Sequence, residues 1–355
     1  MTDTKKHIVK KILFKLLMVL IVLVVLDIIY YFTLYQKDMS ENCTLMEISE
    51  RARDGVDMVY LGESSNHTYS EADTDKRFIC EMIDDMLPEH RVGNLAKDAC
   101  HAGIYYDILR NIPRDNDVET AIVTVNMRSF TSEWIYSTLE PALRKEQIMM
   151  KKAPALYKRM LLAFKAYPQW TDEKRSTMTR NGFKRQTFTL PHPSPYRNAN
   201  DWDRGIGGSY TLYNGKQPSM DTIAQACHYI KEFACTFDAN NPRIKDLDKI
   251  VRLCKQRGWQ PVFNILAENV DQIDSLCGPD LLWLMERNAQ FVIDRYEPQG
   301  VIVVNNLKEV RDLDFRDRDF PTEHYTQTGR LAIARNVAGA VSEDCAPKGK
   351  RGQTH

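Results

Sequence analysis

From Leu16 to Leu26 the chain runs through eleven apolar residues without a break. Past Asp27 the run continues through Ile28, Ile29, Tyr30, Tyr31 and Phe32. Leu16–Tyr35 is twenty residues long, and a helix needs about 20 to cross a bilayer. Lys5, Lys6, Lys10, Lys11 and Lys15 precede it, whereas Gln36–Gly55 carries more acids than bases. That asymmetry predicts a cytoplasmic basic tail over 1–15, a transmembrane anchor over 16–35 and the remainder outside the cytoplasmic membrane, periplasmic or at the cell surface. Tyr30, Tyr31 and Tyr35 suit the outer interface. A cleaved signal peptide is the rival, but the stretch exceeds the usual h-region and no A-x-A-like site follows it. A buried core helix fits poorly with five preceding lysines. Asp27 is costly inside a span; it either reaches water near the outer end or touches another membrane protein.

The remaining composition narrows the function. Across 355 residues, 48 Lys and Arg balance 48 Asp and Glu, so the basic surplus of a general nucleic-acid binder is missing. The eight cysteines form no C-x-x-C pair, which removes zinc ribbons and thioredoxin-like motifs. An extracytoplasmic location permits disulfides, but the spacings name none. Phe78-Ile79-Cys80 and Leu253-Cys254 are contexts in which cysteine acts as a small hydrophobe. The eight histidines are scattered, with no His-x-x-x-His; neither a metal nor a cofactor is expected.

Beyond the anchor, apolar runs alternate with helical periodicity. Strands are expected at Val56–Gly62, Arg91–Leu95, Ala121–Asn126, Pro261–Leu266 and Gly300–Val304, with helices at Asp75–Leu87, Gly103–Asn111, Met220–Phe237, Ile244–Arg257, Gly278–Tyr296 and Thr326–Val341. Near-continuous apolar strands between helices mean a parallel sheet covered on both faces. Sites in such sheets lie beyond the strands' carboxyl ends, in the loops after Leu61, Leu95, Val125 and Leu266. The pattern breaks at about 130–220. Phe130–Trp170 is mostly helical, and Thr171–Pro218, rich in Pro, Gly, Asn and Arg, is expected to be a long loop or lid. One extracytoplasmic domain over 36–345, with that insertion, and a flexible basic tail over 346–355 complete the organisation.

Two places carry candidate chemistry. The first strand ends in Gly62-Glu63-Ser64-Ser65. A glycine there permits a sharp turn and exposes Ser64 at the sheet edge, where its hydroxyl is a nucleophile and its backbone N–H an oxyanion donor. Near the other end, His324 directly precedes the last helix and is placed to reach across the sheet. Ser65 is the rival nucleophile, and His67, His101 and His192 are the rival histidines.

These blocks resemble the SGNH (GDSL-like) hydrolase superfamily. Gly62-Glu63-Ser64 is similar to its Gly-Asp-Ser block, and His324 with the segment through Arg330 is similar to its last block. Asn94-Leu95 through Ala102-Gly103 resembles the second block, and Val125-Asn126 the third. The resemblance covers residues 56–130 and 245–342. It implies an α/β three-layer sandwich with a mainly parallel sheet, Ser64 as nucleophile, His324 as base, and an oxyanion hole of Ser64, Gly103 and Asn126. It departs from the family in one serious way: the acid three residues before the histidine is replaced by Pro321. Asp319 is the candidate third member if the Phe320-Pro321 turn brings it round. The alternatives are a dyad, another acid, or a solvated charge run that includes Asp317.

A single anchor joined to such a domain resembles the D-alanyl transfer protein of the Dlt system and the alginate O-acetyltransferase accessory proteins. The resemblance implies an O-acyltransferase that moves an acyl group onto a cell-envelope glycan beside a multi-spanning membrane-bound O-acyltransferase. A membrane-tethered carbohydrate esterase or deacetylase and a non-catalytic scaffold are the alternatives.

Overall fold

The five apolar runs form one all-parallel sheet of order β2-β1-β3-β4-β5 in the computed structural model, which describes residues 3–53, 55–209 and 219–345. The strands are β1 Met58–Leu61, β2 Val92–Asn94, β3 Thr120–Val125, β4 Gln260–Ile265 and β5 Ile302–Asn305. Every residue of β1 and β3 is buried, which is why they read as unbroken apolar runs and not as alternating ones.

Fifteen α-helices accompany them among the described residues. Before β1 lie α1 (Asp3–Thr33), α2 (Tyr35–Asn42) and α3 (Thr44–Glu50). Between the first strands lie α4 (Ile79–Met86) and α5 (Ala102–Asn111). After β3 come α6 (Ser132–Ile135), α7 (Glu140–Met149), α8 (Ala155–Ala163), α9 (Asp172–Arg185), α10 (Ala199–Ser209), α11 (Met220–Phe233) and α12 (Pro242–Arg257). α13 (Val270–Cys277) and α14 (Pro279–Tyr296) separate β4 from β5, and α15 (Gln327–Cys345) ends the described chain. The boundaries follow sequence punctuation. In α12 the Asn241 side chain accepts from Arg243 N–H, Pro242 opens the first turn, and Gly258 closes it at φ 76°, as helix termini prefer.

Met58, Tyr60, Ile122, Val262 and Val304 share one core with Ile79 and Ile83 of α4 and Ile333 and Val337 of α15. Phe263 points to the opposite face and meets Tyr296 of α14 edge-on at 5.0 Å. The Tyr296 hydroxyl donates to the Ile244 carbonyl of α12. Cys80, Cys235 and Cys254 are buried thiols whose pKa burial pushes up to about 12, so they behave as small hydrophobes. Because β2 and β3 flank β1 on opposite sides, the chain reverses its winding between β1 and β3, and a crevice opens there at the strands' carboxyl ends.

The expected irregular stretch Thr171–Pro218 instead contains α9 and α10; its residues 210–218, like the tail 346–355, lie outside the described residues. α9 is polar almost throughout and is set by its ends. Thr171 Oγ accepts from Lys174 N–H, Asp172 and Glu173 open the helix, and Lys184 and Arg185 close it, matching the helix dipole. The proline run 191–195 falls between the two helices.

The chain divides into two compact units. The first comprises Met1–Glu47 with Pro141–Gln169; the second comprises Ile48–Glu140 with the chain from Trp170 onward, and holds the sheet. In the first unit, His7–Thr33 is long and apolar enough to cross a membrane. Asp27 is not bare: its Oδ1 accepts from Leu156 N–H at the start of α8, 2.6 Å away. One carboxylate oxygen of Asp27 is thus engaged within the chain itself. Glu146 in turn accepts from the backbone N–H of Thr44 and Leu45 at the start of α3.

Candidate active site

β1 ends in a tight elbow. A side chain on Gly62 would lie 2.9 Å from the Tyr60 ring, so only glycine lets the backbone turn so close to the strand. The Gly62 carbonyl accepts from Lys97 N–H, which ties the elbow to the loop after β2. Ser64 opens a 3₁₀ turn, Ser64–Asn66, and the first N–H groups of such a turn have no acceptor inside it. Asn66 braces the elbow from below: its Nδ2 donates to Asn94 Oδ1, and its Oδ1 accepts from Cys80 N–H. Ser65 is fully buried, whereas Ser64 faces a cavity.

Across this crevice the chain before α15 folds back on itself. Phe315 and Tyr325 form an antiparallel bridge, Arg316 N–H donates to the His324 carbonyl, and Thr326 N–H donates to the Asp314 carbonyl. The buried Arg330 side chain then staples this hairpin to the segment after the elbow, donating to the Tyr325 and Thr68 carbonyls and to Asp73. The result is a continuous line of contacts. Ser64 Oγ lies 2.9 Å from His324 Nε2, and His324 Nδ1 lies 2.5 Å from Asp317 Oδ2. With Nδ1–H donating to the carboxylate, Nε2 is left to accept the serine hydroxyl proton.

The carboxylate on His324 is thus Asp317 and not Asp319. Pairing Arg316 with His324 puts Asp317 just past the bridge and beside the imidazole. Asp319 sits near the exposed hairpin tip, two residues too far along. Thr322 Oγ reaches Asp317 Oδ2 at 3.5 Å, and Phe320 N–H donates to the Asp317 carbonyl.

A cavity of about 230 Å³ adjoins Ser64 and is lined also by Glu63, Ala99, Asn126, Arg128, Trp134 and Leu139. Asn126 lies where the sequence suggested: its Oδ1 accepts from Arg128 N–H, leaving Nδ2 as the donor. Gly103 does not line it. Its N–H donates to His101 Nδ1 inside the first turn of α5, and a side chain there would press on Asp246 at 2.7 Å, so its glycine is required by packing. The loop residue beside Ser64 is instead Ala99, held at φ 59°, a conformation uncommon without glycine. The rival histidines are engaged elsewhere: His67 with Asp98 and His192 with Asp280, while His101 caps α5.

Sequence reasoning missed a buried charge cluster under this cavity. Arg128 forms a bidentate ion pair with Glu323 and stacks its guanidinium 4.9 Å from the Trp134 ring. Burial opposes the Arg128 charge, but Glu323 more than offsets it and raises the pKa. The pair links the turn that Asn126 caps to the residue before His324. Glu63, Glu232 and Glu268 are also buried. Burial, and then the charge of Glu323, push the carboxyls of Glu63 and Glu268 up, and burial pushes Glu232 up to about 8 against the pull of Arg128. The folded state thus keeps protons that the unfolded chain releases above about 4.5. The associated stability is complete below that pH and is lost as pH rises towards 8. Thermal unfolding at constant ionic strength should show the melting temperature falling from about pH 5 to about pH 8, with Glu232→Gln flattening the slope; an unchanged slope in the variant would remove Glu232 from this account.

Among the described residues, no group of His, Cys, Asp and Glu is arranged to hold a metal ion. The arrangement can deprotonate a serine and hold an anion beside it. No protein-family model matches the chain, and no curated protein matches it.

Proposed function

We propose that this chain is a serine-dependent O-acyltransferase of the SGNH-like kind, tethered to a membrane by α1 with its catalytic unit outside the cytoplasm. The observation that carries this reading is the Ser64–His324–Asp317 line of contacts at the carboxyl end of β1. His324 takes the proton of Ser64 as Oγ attacks an acyl carbonyl, and Asp317 orients the imidazole and stabilises its cation. The Ser64 and Ala99 backbone N–H groups and Asn126 Nδ2 are the oxyanion donors. An acyl-serine results, and His324 returns the proton to the leaving oxygen. Helices packing on both faces of the parallel sheet are consistent with the three-layer arrangement of that superfamily.

Transfer and hydrolysis differ only in whether a sugar hydroxyl or water resolves the acyl-serine. Trp134 and Leu139, both from the insertion, line the cavity beside Ser64. Apolar walls at that place disfavour water and favour transfer to a glycan hydroxyl. A multi-spanning membrane-bound O-acyltransferase is the proposed donor partner, since the acyl group must reach the outer side of the membrane. The esterase reading shares every step but the last. A scaffold with a decayed triad loses its main support, because Asp317 fills the place of the missing acid.

The test uses full-length protein in detergent with p-nitrophenyl acetate. An acetyl adduct should appear on the peptide bearing Ser64, and an oligosaccharide acceptor should divert the acyl group from water. An adduct that water clears equally fast with and without every acceptor tried would favour the esterase, and no adduct at all would overturn the enzymatic reading.

A further inference from the structure

The segment Pro141–Gln169 has an unusual composition. Arg144, Lys145, Lys151, Lys152, Lys158, Arg159 and Lys165 are basic, and Glu146 is its only acid. It packs in the first unit, on the membrane-length helix and its continuation α2. α8 docks there at three levels. Leu156 N–H donates to Asp27, the buried Lys158 Nζ donates to the Tyr35 hydroxyl at 2.5 Å, and Arg159 pairs with Asp38.

One face of α8 remains uncovered, and it is apolar. Tyr157 and Met160 of α8 and Phe164, its C-cap, follow the i, i+3, i+7 spacing of a single helical face and are 50, 43 and 77% exposed. Its docked face carries Ala155, Lys158 and Leu162. The position along α1 says what covers the free face. Asp27 lies six residues before the end of α1 at Thr33, which at 1.5 Å per residue is about 9 Å along the helix axis. Interfacial helices bury their apolar face roughly 5–10 Å into the boundary between headgroups and acyl chains.

We propose that α8 is an interfacial membrane helix, with Tyr157, Met160 and Phe164 inserted among the acyl chains of the leaflet at the C-terminal end of α1 and Lys151 and Lys165 on anionic lipid phosphates. This rests on the reading of α1 as membrane-spanning and adds to it a second, lipid-selective contact. It gives Asp27 a purpose: a carboxylate at that depth is satisfied by the first turn of α8 and fixes that helix at the membrane boundary. It also gives Lys151 and Lys165 a partner of opposite charge, a contribution that high salt weakens.

The experiment places the photo-crosslinking residue p-benzoylphenylalanine at Phe164, and separately at Val24, in the full-length chain. Each is illuminated in vesicles of phosphatidylcholine and phosphatidylglycerol and in native membranes. Both side chains are exposed, so neither substitution disturbs the fold. Lipid adducts at both positions are the expected result. Replacing Lys151 and Lys165 by Glu should lower the phosphatidylglycerol share of the adducts at position 164 by roughly fivefold or more. Lipid adducts at position 24 with none at 164 would overturn the interfacial helix and leave the anchor standing. Adducts at neither position would overturn both. A protein adduct at 164 in native membranes would assign the face to a protein partner and overturn the lipid assignment.

Discussion

Ser64→Ala is expected to lower the rate of acyl-enzyme formation with p-nitrophenyl acetate by about 10⁴–10⁶, and His324→Ala by nearly as much. The two effects should not add, because a hydroxyl without its base and a base without its hydroxyl are equally unable to form the bond. The Ser64–His324 contact of 2.9 Å makes this a statement about one unit. Ser64 is only partly buried, so alanine there leaves the core intact and the melting temperature should stay near that of the wild type. Ser65→Ala is the informative control for chemistry: Ser65 is fully buried beside Ser64 but makes no hydrogen bond to His324. Full labelling of Ser64→Ala protein by a serine-directed fluorophosphonate would move the nucleophile elsewhere.

What the sequence revealed here and what it hid have a common physical cause. The strands were legible because burial on two faces leaves a run such as Ala121–Val125 nothing but apolar residues. The elbow was legible because a glycine between a buried strand and a serine has few other uses. α13 was missed: it has eight residues and starts at an Asn269 side chain that accepts from Gln272 N–H, a local cap with no periodic run behind it. Gly103, the glycine of that block, is the oxyanion-hole candidate by resemblance, while the residue lining the cavity is Ala99, whose left-handed backbone leaves no mark in its identity. Arg128 and Glu323 are 195 positions apart. Nothing local in either residue announces an ion pair. The docking of α8 on Asp27 was hidden for the same reason, since 129 positions separate Asp27 from Leu156.

The third member of the site is where sequence and structure part most instructively. Arg316-Asp317-Arg318-Asp319 alternates charge, and both acids look alike until the chain's reversal is known. The Phe315–Tyr325 bridge decides between them. It sets Asp317 beside the imidazole of His324 and carries Asp319 past it to the tip. Asp317→Asn should therefore cost about 10⁴ in kcat for acylation, because an amide cannot hold the Nδ1–H tautomer or stabilise the imidazolium. Asp319→Asn should be mild, within a few-fold of wild type, as for an exposed residue that touches no reacting group. The loss in Asp317→Asn should fall on kcat with little change in KM, since the carboxylate acts in the transition state and not on the bound substrate. Similar small losses in both variants would mean that Ser64 and His324 work as a dyad; a large loss confined to Asp319→Asn would mean that the hairpin is paired differently from the register in which Arg316 donates to His324.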